Sequence, residues 1–125
     1  MVNATRTGKE AIAWGNTVHK GYVGLCLRFV RHAFGVGNLY PTATKSWEMA
    51  KKKHKTSDPM SIPAGVPVHI YVPNLPAGHV ALSVGNGKMR SNLSWKGTVE
   101  TVDIAWYVGL KRGSKLLGWT EDLNG

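Results

Sequence analysis

The segment Gly21-Tyr-Val-Gly-Leu-Cys26-Leu-Arg-Phe-Val-Arg-His-Ala-Phe-Gly35 constrains the fold more than any other part of the chain, and it holds the only cysteine. Leu25, Phe29 and Ala33 form one row, and Cys26, Val30 and Phe34 the next. These steps of three and four residues predict a buried helix. Gly24 lets the backbone turn sharply before the cysteine. Gly35 is placed to end the helix in the left-handed conformation. Arg31 and His32 fall in its last turn, where positive charge suits the helix dipole. Cys26 is therefore expected in the first turn of a helix.

The flanking segments give the fold class. Residues 5–18 read as a helix. Thr5 or Thr7 can cap it, and Glu10 follows Thr7 at capping-box spacing. Ile12, Ala13 and Val18 are expected to face the core, with Trp14 near its edge, and Gly15 weakens the middle. A basic amphipathic helix is expected from Thr42 to about Lys53, after a turn at Asn38-Leu-Tyr-Pro41. The run Lys51-Lys-Lys-His-Lys55 reads as a solvated helix end, and His54 to Pro63 as a loop. The pattern then changes. Val68-His-Ile-Tyr-Val72 is β-rich, and a turn at Pro73–Gly78 delivers His79 to the start of the next strand. There Val80, Leu82 and Val84 alternate with Ala81, Ser83 and Gly85, as in a half-buried strand. Asn86-Gly87 is a strong two-residue hairpin signal, and Lys88 to Leu93 returns antiparallel. Gly97–Val102 is a further strand, Asp103–Val108 reads equally as helix or strand, and Lys115–Trp119 is a last strand. Helices come first and an antiparallel sheet follows, which makes an α+β domain.

At 125 residues the chain is expected to form a single domain, residues 1–125. One cysteine excludes an internal disulfide and a multi-cysteine zinc site, and points to synthesis in a reducing compartment. No window approaches the roughly 18 apolar residues of a membrane span, and the N-terminus lacks the layout of a signal peptide. A net charge of +9 favours polyanions: nucleic acid, teichoic acid, acidic lipid or an acidic cell wall. No zinc-finger, aromatic RNA-binding or basic-zipper pattern supports a dedicated nucleic-acid binder.

A cysteine at a helix N-terminus faces unpaired N–H groups and a partial positive charge, which favour its thiolate and can hold an oxyanion. The other reading is that Cys26 is an ordinary buried small residue. A base decides between them. His19 and His54 read as surface residues. His32 lies on another side of the cysteine helix, and His69 sits in mid-strand, where packing is the default. His79 follows Gly78 at the mouth of a strand, where a side chain can face a cleft. A nucleophilic cysteine needs such a base, and the base needs a third group to fix its tautomer. With Asn86-Gly87 as a two-residue turn, Ala81 pairs with Asn92, which then lies one diagonal step from His79. A one-residue bulge would bring Ser91 there instead. The chemistry prefers Asn92, whose carbonyl can accept from the ring.

The order Gly24-Leu-Cys26-Leu-Arg-Phe-Val30, Ala43-Thr-Lys-Ser-Trp47-Glu-Met-Ala50, Ile62-Pro-Ala-Gly65 and Gly78-His79-Val-Ala-Leu82 resembles the CHAP family, papain-like amidohydrolases and peptidases close to NlpC-type cell-wall peptidases. The resemblance runs from about Gly21 to Asn92, with Trp119 a further match. It implies a papain-like α+β fold and cleavage of an amide bond in bacterial peptidoglycan, as in phage endolysins and autolysins. By that likeness Cys26 is the nucleophile and His79 the base. Ungapped alignment puts Ser91 at the third position, where the family often carries an acidic, amide or second imidazole group. Tyr22 is a candidate cleft or donor residue and Trp47 a candidate substrate platform, each with packing as the alternative. No metal or cofactor is implied. The expected partner is peptidoglycan, with anionic wall polymers, and without nucleic acid or membrane. The expected setting is a monomer made in the host cytoplasm without a signal peptide and acting at the cell wall. Two alternatives stay open: a papain-like hydrolase of another amide, and a non-catalytic basic module that binds wall polymer or nucleic acid.

Overall fold

The computed structural model describes residue 1 and residues 3–123. Helix α1 (Gly8–Gly15) is shorter than the expected span and starts at Thr7. The Thr7 hydroxyl accepts the Glu10 N–H, and the Glu10 carboxylate accepts the Thr7 N–H. Helix α2 (Cys26–Phe34) ends at Gly35, which is left-handed at φ 66°. Helix α3 (Ala43–Met49) is capped by the Thr42 hydroxyl. Then come β1 (Lys53–Lys55), β2 (Pro67–Tyr71), β3 (His79–Gly85), β4 (Lys88–Leu93), β5 (Thr98–Asp103), α4 (Ile104–Gly109) and β6 (Lys115–Thr120). The strands form one six-stranded sheet in the order β1-β6-β2-β3-β4-β5, and every pairing is antiparallel.

Strand β3 lies inside the sheet and is buried on both faces, not on one as its alternation predicts. Val80 and Leu82 meet Phe29, Val30, Ala33 and Phe34 of α2. Ala81 faces the opposite cluster with Val68, Ile70, Met89 and Ile104. Phe29 is fully buried, and truncating such a side chain costs about 3–5 kcal/mol. In α1 the buried residues are Ala11 and Gly15, whereas Ile12 is half-buried and Ala13 is exposed. A Cβ on Gly15 would sit 3.3 Å from Leu82, so the glycine permits close packing of the helix on β3. Arg90 of β4 donates from Nε to the Gly15 carbonyl and from Nη2 to the Val18 carbonyl, bonding acceptors at and just beyond the end of α1.

Two expectations change. The lysine run is not a helix end: Lys53, His54 and Lys55 form the edge strand β1, paired with Thr120, Trp119 and Gly118. Charged side chains suit an exposed sheet edge. The β3–β4 hairpin turns at Asn86 and Gly87, both at positive φ, but its register shifts between Ser83 and Gly85, with Leu82 opposite Arg90. Ala81 therefore does not pair with Asn92 as a simple two-residue hairpin would have it. The bulge moves β4 by one residue and exchanges which side chains share the face of His79.

Candidate active site

The turn before α2 puts Cys26 at the helix start. Tyr22 and Gly24 both take positive φ, 56° and 69°, and the Gly24 N–H is held by the Ser94 hydroxyl. His79 is delivered from the sheet side by Gly78, at φ 70°. A Cβ on Gly78 would stand 2.5 Å from the Thr44 hydroxyl, so only glycine lets this turn lie against α3. The Cys26 Sγ is 3.9 Å from the carbonyl oxygen of Gly78. Cys26 and His79 line one cleft of about 520 Å³.

His79 is only 5% exposed, and its ring stacks on Tyr107 of α4 with centroids 4.5 Å apart. Its Nε2 is 2.8 Å from the Ser91 Oγ. The Ser91 hydroxyl donates to the Asn92 carbonyl at 2.9 Å. A carbonyl can only accept, so both contacts are made at once only when the serine proton goes to the carbonyl and Ser91 accepts from the imidazole. That arrangement carries the Nε2–H tautomer and leaves the Nδ1 lone pair free. A serine can thus orient the imidazole as an amide carbonyl would.

Asn92 does not take the predicted place beside the imidazole. Its Nδ2 donates to the Tyr22 carbonyl at 2.8 Å and to the Ser94 hydroxyl at 3.3 Å, so it ties the turn before Cys26 to β4. The β-bulge accounts for the exchange. Asn92 still lines the cleft, whereas Tyr22 and Trp47 do not. Tyr22 packs its ring on Phe29 and meets His32 Nδ1 with its hydroxyl. Trp47 packs against His69 beneath the Lys53 ammonium. His69 itself is buried against the Thr120 hydroxyl, and His54 is a surface residue stacked on Trp119 and paired with Glu121. Sequence reasoning missed Trp95 and Tyr107, which line the cleft with Val72, Leu75, Leu110 and Lys111. Trp95 is 59% exposed, Trp106 beside it 46%. An aromatic pair, Trp106-Tyr107, straight after a strand was the available signal.

Burial pushes the Cys26 thiol up from its ordinary pKa. The backbone N–H groups of Val80, Leu27 and Cys26 itself oppose that shift without cancelling it. Burial also lowers His79 to about 4. Both shifts favour the neutral thiol and imidazole over the thiolate expected at the helix end, because desolvation outweighs the helix N-terminus here. Among the described residues no cluster of His, Cys, Asp or Glu could hold a metal ion, and no helix is long and apolar enough to cross a membrane.

No protein-family profile matches the chain, and no curated protein matches it. Solved structures do. The chain is similar to NlpC1 from Trichomonas vaginalis, with TM-score 0.59 and 14% identity over 98% of this chain and 46% of that one. It is also similar to NlpC2 from the same organism, with TM-score 0.57 and 16% identity over 97% of this chain and 49% of that one. The chain thus spans about half the length of each. Its fold is an α+β papain-like fold of the NlpC type, with helices packed on an antiparallel sheet.

Proposed function

We propose that the protein is a cysteine peptidase or amidase that hydrolyses an amide bond of bacterial peptidoglycan, in the manner of a CHAP-type endolysin. One observation carries the reading. A cysteine at a helix start and a tautomer-fixed imidazole from the facing strand open into one cleft. His79 Nδ1 takes the Cys26 proton as sulfur attacks the carbonyl carbon, so attack and proton transfer are coupled rather than preceded by a standing ion pair. The N–H groups around the sulfur hold the oxygen of the tetrahedral adduct. The imidazolium gives its proton to the leaving amine, and water, activated by the same base, releases the acyl group and restores the thiol. Tyr107 covers one face of the imidazole and limits water there.

A net charge of +9 suits an enzyme working on anionic walls. Synthesis in the host cytoplasm, followed by action at the wall as a monomer, belongs to the same proposal. The apolar cleft wall of Val72, Leu75 and Leu110 favours a second reading, hydrolysis of a non-wall amide bearing a bulky apolar group. The test is digestion of purified walls by the native protein and by Cys26→Ala, with mass spectrometry of the released muropeptides. New termini at one bond type, absent with Cys26→Ala, are expected. Equal digestion by both proteins would overturn the mechanism, and intact walls with turnover of an apolar peptide amide would favour the second reading.

A further inference from the structure

Cys26 borders two hollows, not one. Beyond the apolar cleft, a second hollow of about 150 Å³ lies between α2 and the start of α3. Gly24, Cys26 and Ala77 belong to both, so the sulfur stands at their junction. The two differ in chemistry. The larger carries one charged side chain, Lys111, on an otherwise largely apolar wall. The smaller carries Arg28, Arg31, Asn38 and Tyr40.

The two arginines lie close together without a counter-charge. Neither forms an ion pair with an acidic side chain among the described residues. Arg31 is partly buried, its Nε is enclosed without a hydrogen-bond partner, and its Nη1 reaches the Val36 carbonyl only at 3.4 Å. Burial and the neighbouring Arg28 both push the Arg31 pKa below its usual value. Two like charges and an unsatisfied guanidinium N–H are unfavourable in a folded protein unless something anionic occupies the site. Guanidinium groups present planar, paired donors that match a carboxylate.

We propose that this hollow is a subsite for a carboxylate of the substrate, held by Arg28 and Arg31 on the opposite side of the scissile amide from the apolar cleft. The proposal rests on Cys26 being the attacking atom, and it defines the substrate class: an amide flanked on one side by an apolar group and on the other by a residue with a free carboxylate. Amidation of that carboxylate would then weaken binding.

The test compares alkylation of Cys26 by iodoacetate and by iodoacetamide, reagents alike in their reacting carbon and different in charge. The rate ratio, normalised to that of glutathione, reads an anion site at the sulfur whether or not any wall is cleaved. At low salt the native protein is expected to favour iodoacetate by about tenfold over the free thiol. Arg28→Gln, an exposed position that leaves the core untouched, lowers the ratio. Arg28→Gln with Arg31→Gln brings it near that of glutathione. Lys51→Gln with Lys55→Gln, which removes two charges at the β1 edge, leaves it nearly unchanged. A native ratio equal to that of glutathione, or an equal fall in the lysine pair, overturns the subsite. Wall cleavage with no iodoacetate preference defeats the subsite alone. A preserved preference with intact walls supports the anion site and defeats the peptidoglycan reading.

Discussion

Replacing Ser91 by alanine removes the acceptor on which the tautomer of His79 depends. Ser91 is fully buried and its Oγ lies 2.8 Å from Nε2. The alanine variant then has two choices. It can keep Nε2–H with a buried unsatisfied donor, at a cost of about 1–3 kcal/mol. Or it can move the proton to Nδ1, which removes the lone pair that the proposed mechanism uses. At 1.4 kcal/mol per tenfold, and with some relaxation around the small hole, kcat/KM should fall about tenfold. Stability should fall by about 1 kcal/mol, the ordinary net value of one hydrogen bond. A loss of stability alone would not move the imidazole proton, so the deciding measurement is the ¹⁵N spectrum of His79. The native ring should show Nε2 protonated and Nδ1 bare, and the variant a mixture. Ser91→Thr, which keeps the hydroxyl, should restore the native spectrum. Asn92→Ala should spare that spectrum, because Asn92 anchors the Tyr22 carbonyl rather than the ring. If Ser91→Ala keeps native kcat/KM and ring protonation while Asn92→Ala loses both, the assignment of the orienting group is wrong.

Other outcomes follow from the same geometry. His79 and His69 are held neutral by burial, lowered to about 4 and about 3. The unfolded chain binds those protons from its ordinary histidine pKa of about 6.5 downward while the native state resists them. Stability should therefore be intact above pH 6.5 and fall as pH drops from there toward 4, by a few kcal/mol in all. Urea midpoints at pH 7 and pH 4.5 measure this, and equal midpoints would contradict the burial argument. Activity should keep its base well below pH 6, with the acid limb of kcat/KM near the lowered His79 value. Tyr107→Ala should cut kcat/KM by about threefold to tenfold, the worth of a stacked ring, whereas Tyr107→Phe should stay within about twofold of native. Sedimentation of the protein with walls should weaken from 50 mM to 500 mM salt, because screening shortens the reach of a +9 surface.

What the sequence discloses here is set by how local the cause is. The Thr7–Glu10 capping box, the Gly35 helix stop and the Asn86-Gly87 turn each depend on residues within a few positions, and each stands as its spacing predicts. The placement of Cys26 at a helix start and of His79 at a strand start was legible for the same reason: a glycine turn before a helix and a glycine before a strand are local signals. The lysine strand was not. Lys53–Lys55 becomes a strand only because Gly118, Trp119 and Thr120 present a free edge, and no local propensity favours a polar tripeptide there. The orienting residue turns on a smaller thing still. One extra residue between Ser83 and Gly85 decides whether β4 offers Ser91 or Asn92 to the imidazole, and period-two alternation is blind to such a slip. The chemistry that ranked asparagine above serine also omitted the carbonyl next door. Once Asn92 O accepts the serine proton, the hydroxyl has an acceptor's role left to it, and the weaker-looking residue becomes able to orient the base. The aromatic wall was hidden by distance in sequence, since Tyr107 reaches His79 only after β5 has crossed the sheet and α4 has turned back over it. In this fold Cys26 and His79 come from short turns, but the residues that surround them come from register and return path, which is where, on the proposed mechanism, substitutions should change rate without abolishing it.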